Sequence, residues 1–284
     1  PATFLSARRS PRAGMTWHGG GVFGDAAAYE RFMGRWSSLL APQLLDAVAL
    51  PEPRSVVDVG CGTGHLAAAV VERWPECRVI GVDPSPSFVA AAAERLAGTS
   101  ATAGVGDALD LPVADGCVDA ALASLVLNFV TEPARAASEM SRVTRAGGVA
   151  AASVWDYGGG MGMLRTFWDA VVRLDPHVPR QDGDTTPLSR SGGLARLWGA
   201  AGLIDVVEGE LTVLTAFTSF EDYWEPFLLG TGPAGAHVAR LPDAGRAALR
   251  AGLGGHVGQG PFELTARARW VRGTVSRRCR APIS

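Results

Sequence analysis

The sequence predicts an α/β protein built around a doubly wound, largely parallel sheet. The apolar, β-branched run 56–59 ends in three glycines, Gly60, Gly62 and Gly64, and a helical pattern follows directly. A second strand-like run ends at Asp83, about twenty residues further on, which is the spacing found in dinucleotide-binding folds. Strand-like and helix-like segments continue to alternate, as is typical of parallel strands joined by helical crossovers.

Composition limits the class of protein. The chain has 284 residues, 47% hydrophobic and 19% charged, which is enough for one large domain with a cap and argues against global disorder. The formal net charge of −2 gives no electrostatic reason to bind nucleic acid. All 26 residues counted as Lys+Arg are arginines. The absence of lysine excludes Schiff-base chemistry, a Walker-type phosphate lysine and a Tyr-x-x-x-Lys dehydrogenase centre.

The cysteines and the apolar runs both bear on where the protein resides. The 4 cysteines form no Cys-x-x-Cys pair, which argues against a zinc site and a disulfide framework. No apolar run approaches the ~20 residues that span a bilayer, and residues 1–14 lack the apolar stretch of a secretory signal. We therefore expect a cytoplasmic protein without membrane insertion and with a flexible N-terminal arm over 1–24.

The glycine run and two acids after it indicate a nucleoside site. Glycines at a strand-to-helix turn let backbone N–H groups and the helix N-terminus approach a ligand closely, although a tight turn without a ligand would use them too. Asp83 stands where a ribose hydroxyl finds its acceptor in dinucleotide-type folds. Asp107 follows a third predicted strand, 101–105, and an acid there can accept from an adenine amino group.

Helices are predicted before the first strand. Asp25 is a plausible N-cap for a helix beginning at residue 26, and a second helical stretch reaches residue 50. Tyr29, Met33 and other apolar residues recur there at helical spacing, which predicts either a core-facing stripe or a ligand-facing one.

The remaining elements follow from the same periodicities. Strands are predicted at 55–59, 79–83, 101–105, 120–127, 149–155, within 203–217 and at 262–275. Helices are predicted at 65–74, 84–96, 132–144, 163–174, 191–200, 219–229 and 244–253. The glycines at 158–160 predict either a flexible linker or a hinge for a cap.

Four motifs in register resemble those of a known family. They are Asp-Val-Gly-Cys-Gly-Thr-Gly (58–64), Gly-Val-Asp-Pro-Ser (81–85), Gly-Asp-Ala (106–108) and the block 119–130. Together they resemble class I S-adenosylmethionine-dependent methyltransferases, in particular the small-molecule branch that includes the ubiquinone/menaquinone type, methyltransferase type 11. The resemblance covers about residues 25–155.

The resemblance implies an architecture. It is a Rossmann-like, doubly wound seven-stranded sheet whose last strand is antiparallel, flanked by helices, with N-terminal helices and an inserted helical cap. We expect these parts in chain order: lid helices at 25–52, the cofactor-binding core at 53–157, a variable cap insertion at 158–202, the C-terminal part of the core at 203–276 and a tail at 277–284.

The resemblance also implies a cofactor and the residues that hold it. The cofactor would be S-adenosylmethionine, with S-adenosylhomocysteine as product and no metal. Asp58 would face the amino group of the cofactor, Asp83 the ribose and Asp107 the adenine. The implied cofactor-binding residues are Asp58, Gly60, Cys61, Gly62, Gly64, Asp83, Pro84, Asp107, Ala108, Ser124 and Leu125.

Methyl transfer is an in-line displacement that positioning alone can accelerate, so a dedicated base is optional. The aromatic cap suggests a small, hydrophobic or aromatic, natural-product-like acceptor. Catalytic candidates are Tyr29, Asn128 and His18. Acceptor-lining candidates are Tyr29, Met33, Trp155, Tyr157 and Trp224. A packing role is an equal alternative for each of them. Relatives often carry histidine where Asn128 stands, and an amide cannot take a proton near neutral pH.

Two other functions stay open at this point. A methyltransferase-fold protein can use the bound cofactor without transfer, for a cyclisation or rearrangement. An NAD(P)-dependent oxidoreductase also has a glycine loop and an acid, although the glycines here run Gly-x-Gly-x-Gly rather than Gly-x-Gly-x-x-Gly. The expected partners are a small-molecule substrate and no nucleic acid, in a monomer or homodimer.

Overall fold

The computed structural model describes residues 25–181 and 187–276. Its seven-stranded sheet has the order β3-β2-β1-β4-β5-β7-β6, in which β1 to β5 are parallel and β7 runs antiparallel to β5 and β6. The strands are β1 (Ser55–Val59), β2 (Arg78–Asp83), β3 (Ala101–Val105), β4 (Val118–Ser124), β5 (Thr144–Trp155), β6 (Leu203–Phe217) and β7 (Phe262–Val275). The predicted fold class is confirmed.

Helices lie on both faces of this sheet and above one of its ends. They are α1 (Ala26–Tyr29), α2 (Arg35–Val48), α3 (His65–Arg73), α4 (Pro86–Arg95), α5 (Pro133–Val143), α6 (Gly162–Leu174), α7 (Gly193–Ala200), α8 (Phe220–Leu228), α9 (Gly232–Arg240) and α10 (Asp243–Val257). A π-helical turn (Glu30–Gly34) joins α1 to α2. Asp25 caps α1 as predicted, since its Oδ1 accepts from Ala27 N at 2.8 Å.

Successive apolar residues of the central strands point to opposite faces of the sheet, which explains why helices cover both faces. Val56 belongs to the cluster that β1 forms with α2 and α3, whereas its neighbour Val57 belongs to the cluster on the other face, with α5 and α7. Every residue of β1 is buried, as expected for a parallel strand between two helical layers.

A third apolar cluster is rich in aromatic rings and forms the helical cap. It joins α2 to α6, α8, α9 and α10 through fully buried side chains that include Trp36, Phe167 and Tyr223. The cap helices therefore come from other parts of the sequence besides the predicted insertion at 158–202. Helix α6 lies in the cap but α7 packs on β6 and β7, and most cap helices come from the β6–β7 connection.

Three elements differ from their predictions. β4 ends at Ser124, not at residue 127, because Leu125 takes a left-handed backbone with φ of 65° and a 3-10 turn (Leu127–Phe129) follows. β5 begins at Thr144, directly after α5, so the glycines at 147 and 148 lie inside the strand. Helix α9 was not predicted, because its glycines and proline hide the helical periodicity.

The glycine run at 158–160 is a hydrogen-bonded turn. Asp156 Oδ1 accepts from Gly158 N at 3.0 Å, and Arg267 N donates to Gly160 O at 2.8 Å. The Asp156 carboxylate, nearly buried, also receives the guanidinium of Arg267 at 2.6 Å. These contacts tie the turn to β7.

Within the described ranges, no helix combines the length and the apolar character that crossing a membrane requires.

We predict that Trp198→Phe destabilises the protein. Trp198 is fully buried between α7 and the sheet, and its indole donates to Ala150 O in β5 at 2.9 Å. The substitution removes this donor and part of the packed volume, so the free energy of unfolding, measured by urea titration, should fall by about 1–3 kcal/mol. Trp74→Phe, at a half-buried tryptophan, is the control and should change it by less than about 0.5 kcal/mol. Equal stability of Trp198→Phe and the unsubstituted protein would contradict this.

Candidate functional site

A cavity opens at the carboxyl ends of β1 and β4, where the strand order of the sheet reverses. Open α/β sheets bind their ligands at this position. The cavity is lined by Tyr29, Ser37, Asp58, Gly60, Cys61, Gly62, Thr63, His65, Leu66 and Ser124. Six of these residues were predicted from the sequence as site residues.

The glycine turn between β1 and α3 requires its glycines. Gly60, Gly62 and Gly64 have φ of 67°, 52° and 87°, a region that side chains disfavour. A Cβ at Gly60 would lie 2.3 Å from Val126 Cγ2, so a side chain there cannot fit. A Cβ at Gly62 would meet no atom within 4 Å. Glycine is therefore required at position 60 by the close packing of Val126, whereas Gly62 borders open space.

The N-terminus of α3 faces this space with unpaired donors. Asp58 Oδ2 accepts from Ala67 N at 3.1 Å, but the N–H groups of His65 and Leu66, the first two of the helix, find no acceptor among the described residues. Such N–H groups and the helix dipole favour a negatively charged or polar ligand group.

Asp58 is a buried carboxyl, and within residues 25–181 and 187–276 no cationic side chain pairs with it. It is 1% exposed, and burial, together with the nearby carboxylate of Asp83, raises its pKa from 3.8 to about 7. The hydrogen bond from Ala67 N acts in the opposite direction and lowers the pKa. A positively charged ligand group beside Asp58 would restore the ionised form, so this part of the site favours a cation.

Asp83 holds the glycine turn to the end of β2. Its Oδ2 accepts from Gly62 N and its Oδ1 from Ser85 N, both at 2.9 Å. Burial raises the pKa of Asp83 and these two donors oppose that rise. Each oxygen keeps a further lone pair, so the carboxylate can still accept from a ligand hydroxyl. Pro84 follows directly on this loop.

Asp107 lies beyond the cavity lining, after β3. Its Oδ1 accepts from Leu109 N at 2.9 Å, and Ala108 beside it is buried. The loop is fastened to α5, because Glu139 Oε2 accepts from Leu111 N at 2.8 Å. Asp107 is therefore fixed at the β3 side of the same sheet edge.

Tyr29, the last residue of α1, lines the cavity. Its hydroxyl lies 3.2 Å from Ser37 Oγ, and its ring packs against Phe88 with 5.3 Å between centroids. Burial raises the pKa of Tyr29, so the hydroxyl is protonated at neutral pH. Burial and the nearby Tyr29 also raise the pKa of Tyr157, which packs against the cap cluster; Met33 is a buried member of that cluster.

The other acceptor candidates lie outside the cavity lining. Asn128 Nδ2 lies 3.5 Å from Trp155 O and 3.4 Å from Ser189 Oγ, and its buried Oδ1 has no partner among the described residues. Trp155 is a buried cap residue, and Trp224 is buried and stacked on Phe220. His18 lies outside the described residues, and Leu125 adjoins Ser124 at the end of β4.

The sequence reasoning missed one polar cluster. Glu30, in the π turn, accepts a short hydrogen bond from the Thr63 hydroxyl, lies 2.9 Å from His65 Nε2 and pairs with Arg95 Nη2 at 3.1 Å. Burial acts to raise the pKa of Glu30, but the Thr63 donor and the two basic neighbours hold it below its usual value. Thr63 and His65 stand within and beside the glycine motif, whereas no sequence signal points to Glu30.

Known proteins similar to this chain are methyltransferases. A family model described as a methyltransferase domain matches residues 57–152. An uncharacterized methyltransferase of Mycobacterium sp. (strain JLS) is 36% identical over 165 residues, which are 53% of this chain and 62% of that protein. The chain thus spans less than two thirds of the length of this curated relative.

Two solved structures resemble the whole fold. Phosphoethanolamine N-methyltransferase 2 of Haemonchus contortus in complex with S-adenosylmethionine has a TM-score of 0.57 at 16% identity, over 94% of this chain and 62% of that one. An S-adenosylmethionine-dependent methyltransferase of Thermotoga maritima, described as a possible histamine N-methyltransferase, has a TM-score of 0.52 at 21% identity, over 91% of this chain and 100% of that one. At these identities the likeness shows a shared fold.

We predict that Asp58→Asn stabilises the ligand-free protein, and more at pH 8 than at pH 5. The pKa of this carboxyl is raised on folding, so its ionisation costs stability as the pH rises from about 4 to about 7. Asparagine removes that cost and keeps an oxygen for Ala67 N. Thermal unfolding at the two pH values measures the difference in Tm.

Asp119→Asn is the control, because the shift there has the opposite sign. Burial acts to raise the pKa of Asp119, but Arg145 and the backbone N–H of Arg54 hold it below its usual value. Its contribution to stability is complete at both pH values and would be lost only at lower pH. Asp119→Asn should therefore lower the Tm by a similar amount at pH 5 and pH 8. A gain for Asp58→Asn that is no larger at pH 8 would contradict the prediction.

Proposed function

Because this chain carries a methyltransferase domain and has the class I methyltransferase fold, we propose that it binds S-adenosylmethionine and transfers its methyl group to a small-molecule acceptor. The observation that carries the proposal is that one cavity is lined by Asp58, a buried carboxyl with no cationic partner among the described residues, and by a glycine turn that faces open space at Gly62. A cofactor that has a sulfonium and an ammonium group next to a nucleoside matches both features.

The residues present fit the cofactor. Asp58 would hold its ammonium group, and the unpaired N–H groups of His65 and Leu66 suit its carboxylate. Asp83 offers lone pairs to the ribose hydroxyls, and Asp107 lies further along the sheet edge for the adenine. Gly62 keeps free the space that a side chain would fill.

The cofactor, when bound, supplies an electrophilic methyl group. The protein contributes position and shielding, since Ser124, the glycine turn and Tyr29 all line the cavity. The Tyr29 hydroxyl stays protonated near neutral pH, because burial raises its pKa, so it can donate a hydrogen bond to an acceptor but does not take its proton. Transfer would then rest on holding the acceptor in line with the methyl group.

The cap supports a hydrophobic or aromatic acceptor. The cap cluster is rich in aromatic side chains; Met33 and Trp155 are buried members of it, and Tyr157 packs against it. The solved structures compared above are described as acting on phosphoethanolamine and possibly on histamine, which are both small molecules. We extend to this chain only the small size of the acceptor. A metal-free reaction in the cytoplasm, by a monomer or homodimer, remains part of the proposal.

We predict that the purified protein binds both S-adenosylmethionine and S-adenosylhomocysteine in calorimetry. Asp83→Asn should weaken both affinities by about 10-fold or more, because a charge-assisted hydrogen bond is replaced by a neutral one and only one backbone donor keeps its acceptor. Asp46→Asn, at an exposed carboxylate paired with Arg73, is the control and should bind as the unsubstituted protein does. Failure of the unsubstituted protein to bind either compound would refute the proposal.

We further predict net transfer of the methyl group. Incubation with methyl-labelled cofactor and a panel of hydrophobic or aromatic hydroxyl- and amine-bearing compounds should yield labelled product and one equivalent of S-adenosylhomocysteine per turnover. Conversion of a compound without S-adenosylhomocysteine would indicate a rearrangement or cyclisation instead. Turnover of a protein or tRNA alone would show that the acceptor class is wrong.

A further inference from the structure

The carboxylate of Glu30 lies at a junction of three elements. It accepts from the Thr63 hydroxyl in the glycine turn, lies 2.9 Å from Nε2 of His65 at the start of α3, and pairs at 3.1 Å with Arg95 at the end of α4. Arg95 also donates through Nε to Thr63 O at 2.7 Å, which closes the network around the turn. One side chain therefore links the N-terminal helical segment to the loop that lines the cavity.

The backbone around Glu30 is arranged for this contact. The residue opens the π turn between α1 and α2, and such turns occur often at functional sites. A Cβ at Gly34 would lie 2.6 Å from Glu30 Oε2, so glycine at this position gives the carboxylate its room. Tyr29, the residue directly before Glu30, lines the cavity. Fixing Glu30 thus fixes the position of Tyr29.

The same helical segment is tied to the cap on its other side. Arg31 pairs with Glu225 of α8 at 3.1 Å, and Arg35 binds Asp222 of α8 through two nitrogens, the shorter contact being 2.5 Å. The Arg31–Glu225 pair is exposed, whereas the Arg35–Asp222 and Glu30–Arg95 pairs are shielded from solvent to a similar extent. The Glu30 network adds a contact to His65, whose side chain is 12% exposed. The helical segment is therefore attached on both sides, to the cap and to the glycine turn.

We propose that Glu30 is a positioning residue of the cofactor site: it fastens the π turn, and with it Tyr29, onto the glycine turn and so holds the cavity in its binding-competent form. This rests on the proposed function for the identity of the ligand. Glu30 acts through Thr63, His65 and Arg95, and it does not line the cavity itself.

The test compares Glu30→Gln with Glu225→Gln. Both substitutions remove a carboxylate that pairs with arginine, on the two sides of the same helical segment, but only Glu30 contacts the glycine turn. Calorimetry with S-adenosylhomocysteine should show about 10-fold weaker binding for Glu30→Gln and unchanged binding for Glu225→Gln. Without ligand, backbone amide hydrogen exchange over residues 26–34 and 60–66 should be faster in Glu30→Gln than in the unsubstituted protein. Glu225→Gln should leave it unchanged.

A double variant separates positioning from general destabilisation. Since Glu30 and Arg95 belong to one network, Glu30→Gln combined with Arg95→Gln should lose little more affinity than Glu30→Gln alone. Additive losses, or a fall in Tm with unchanged affinity, would overturn the proposal. Tighter binding by Glu30→Gln would also overturn it, because the carboxylate would then be competing with the ligand.

The exchange experiment uses no ligand. If the unsubstituted protein bound neither cofactor form, the proposed function would fail, while unchanged exchange in Glu30→Gln would independently overturn the positioning role.

Discussion

The turn between β1 and α3 is the constraint on which the site depends. Its glycines adopt left-handed conformations, and Gly60 approaches Val126 so closely that no side chain fits between them. This lets the chain reverse within a few residues and present the N-terminus of α3 at the sheet edge. Asp83 then fixes the turn from the neighbouring strand through Gly62 N, so two adjacent strands define one rigid corner.

The carboxylates around this corner lie in two different electrostatic environments. Asp58 and Asp83, on the cavity side of the turn, are both buried, and burial raises their pKa values. On the other side, Glu30 is surrounded by donors and its pKa is lowered. Ionisation of Asp58 and Asp83 costs stability, which a cationic ligand would offset. The contacts of ionised Glu30, in contrast, stabilise the fold. The pKa values of Asp58 and Glu30 are therefore shifted in opposite directions, which fits the binding role proposed for Asp58 and the positioning role proposed for Glu30.

The helical segment before β1 connects this corner to the cap. It contacts the glycine turn through Glu30 and the cap through Phe32, whose ring lies edge-on to Phe227 at 5.6 Å. The cap consists mainly of helices from the β6–β7 connection, far from the glycine turn in sequence. The helical segment before β1 therefore contacts both the glycine turn and the cap.

The sequence by itself determined the sheet and the residues that lie at the carboxyl ends of β1, β2 and β3. The glycine motif, Asp83 and Asp107 follow consecutive strands, and parallel strands necessarily bring such residues to one edge. The periodicity also located most helices, because each has one apolar face; α9, interrupted by glycine and proline, was the exception. The tertiary structure alone decided which helices form the cap, where β4 ends, and that Glu30 meets Thr63, His65 and Arg95. Those outcomes depend on contacts between residues more than thirty positions apart or on a backbone reversal at Leu125, and neither leaves a local pattern in the sequence.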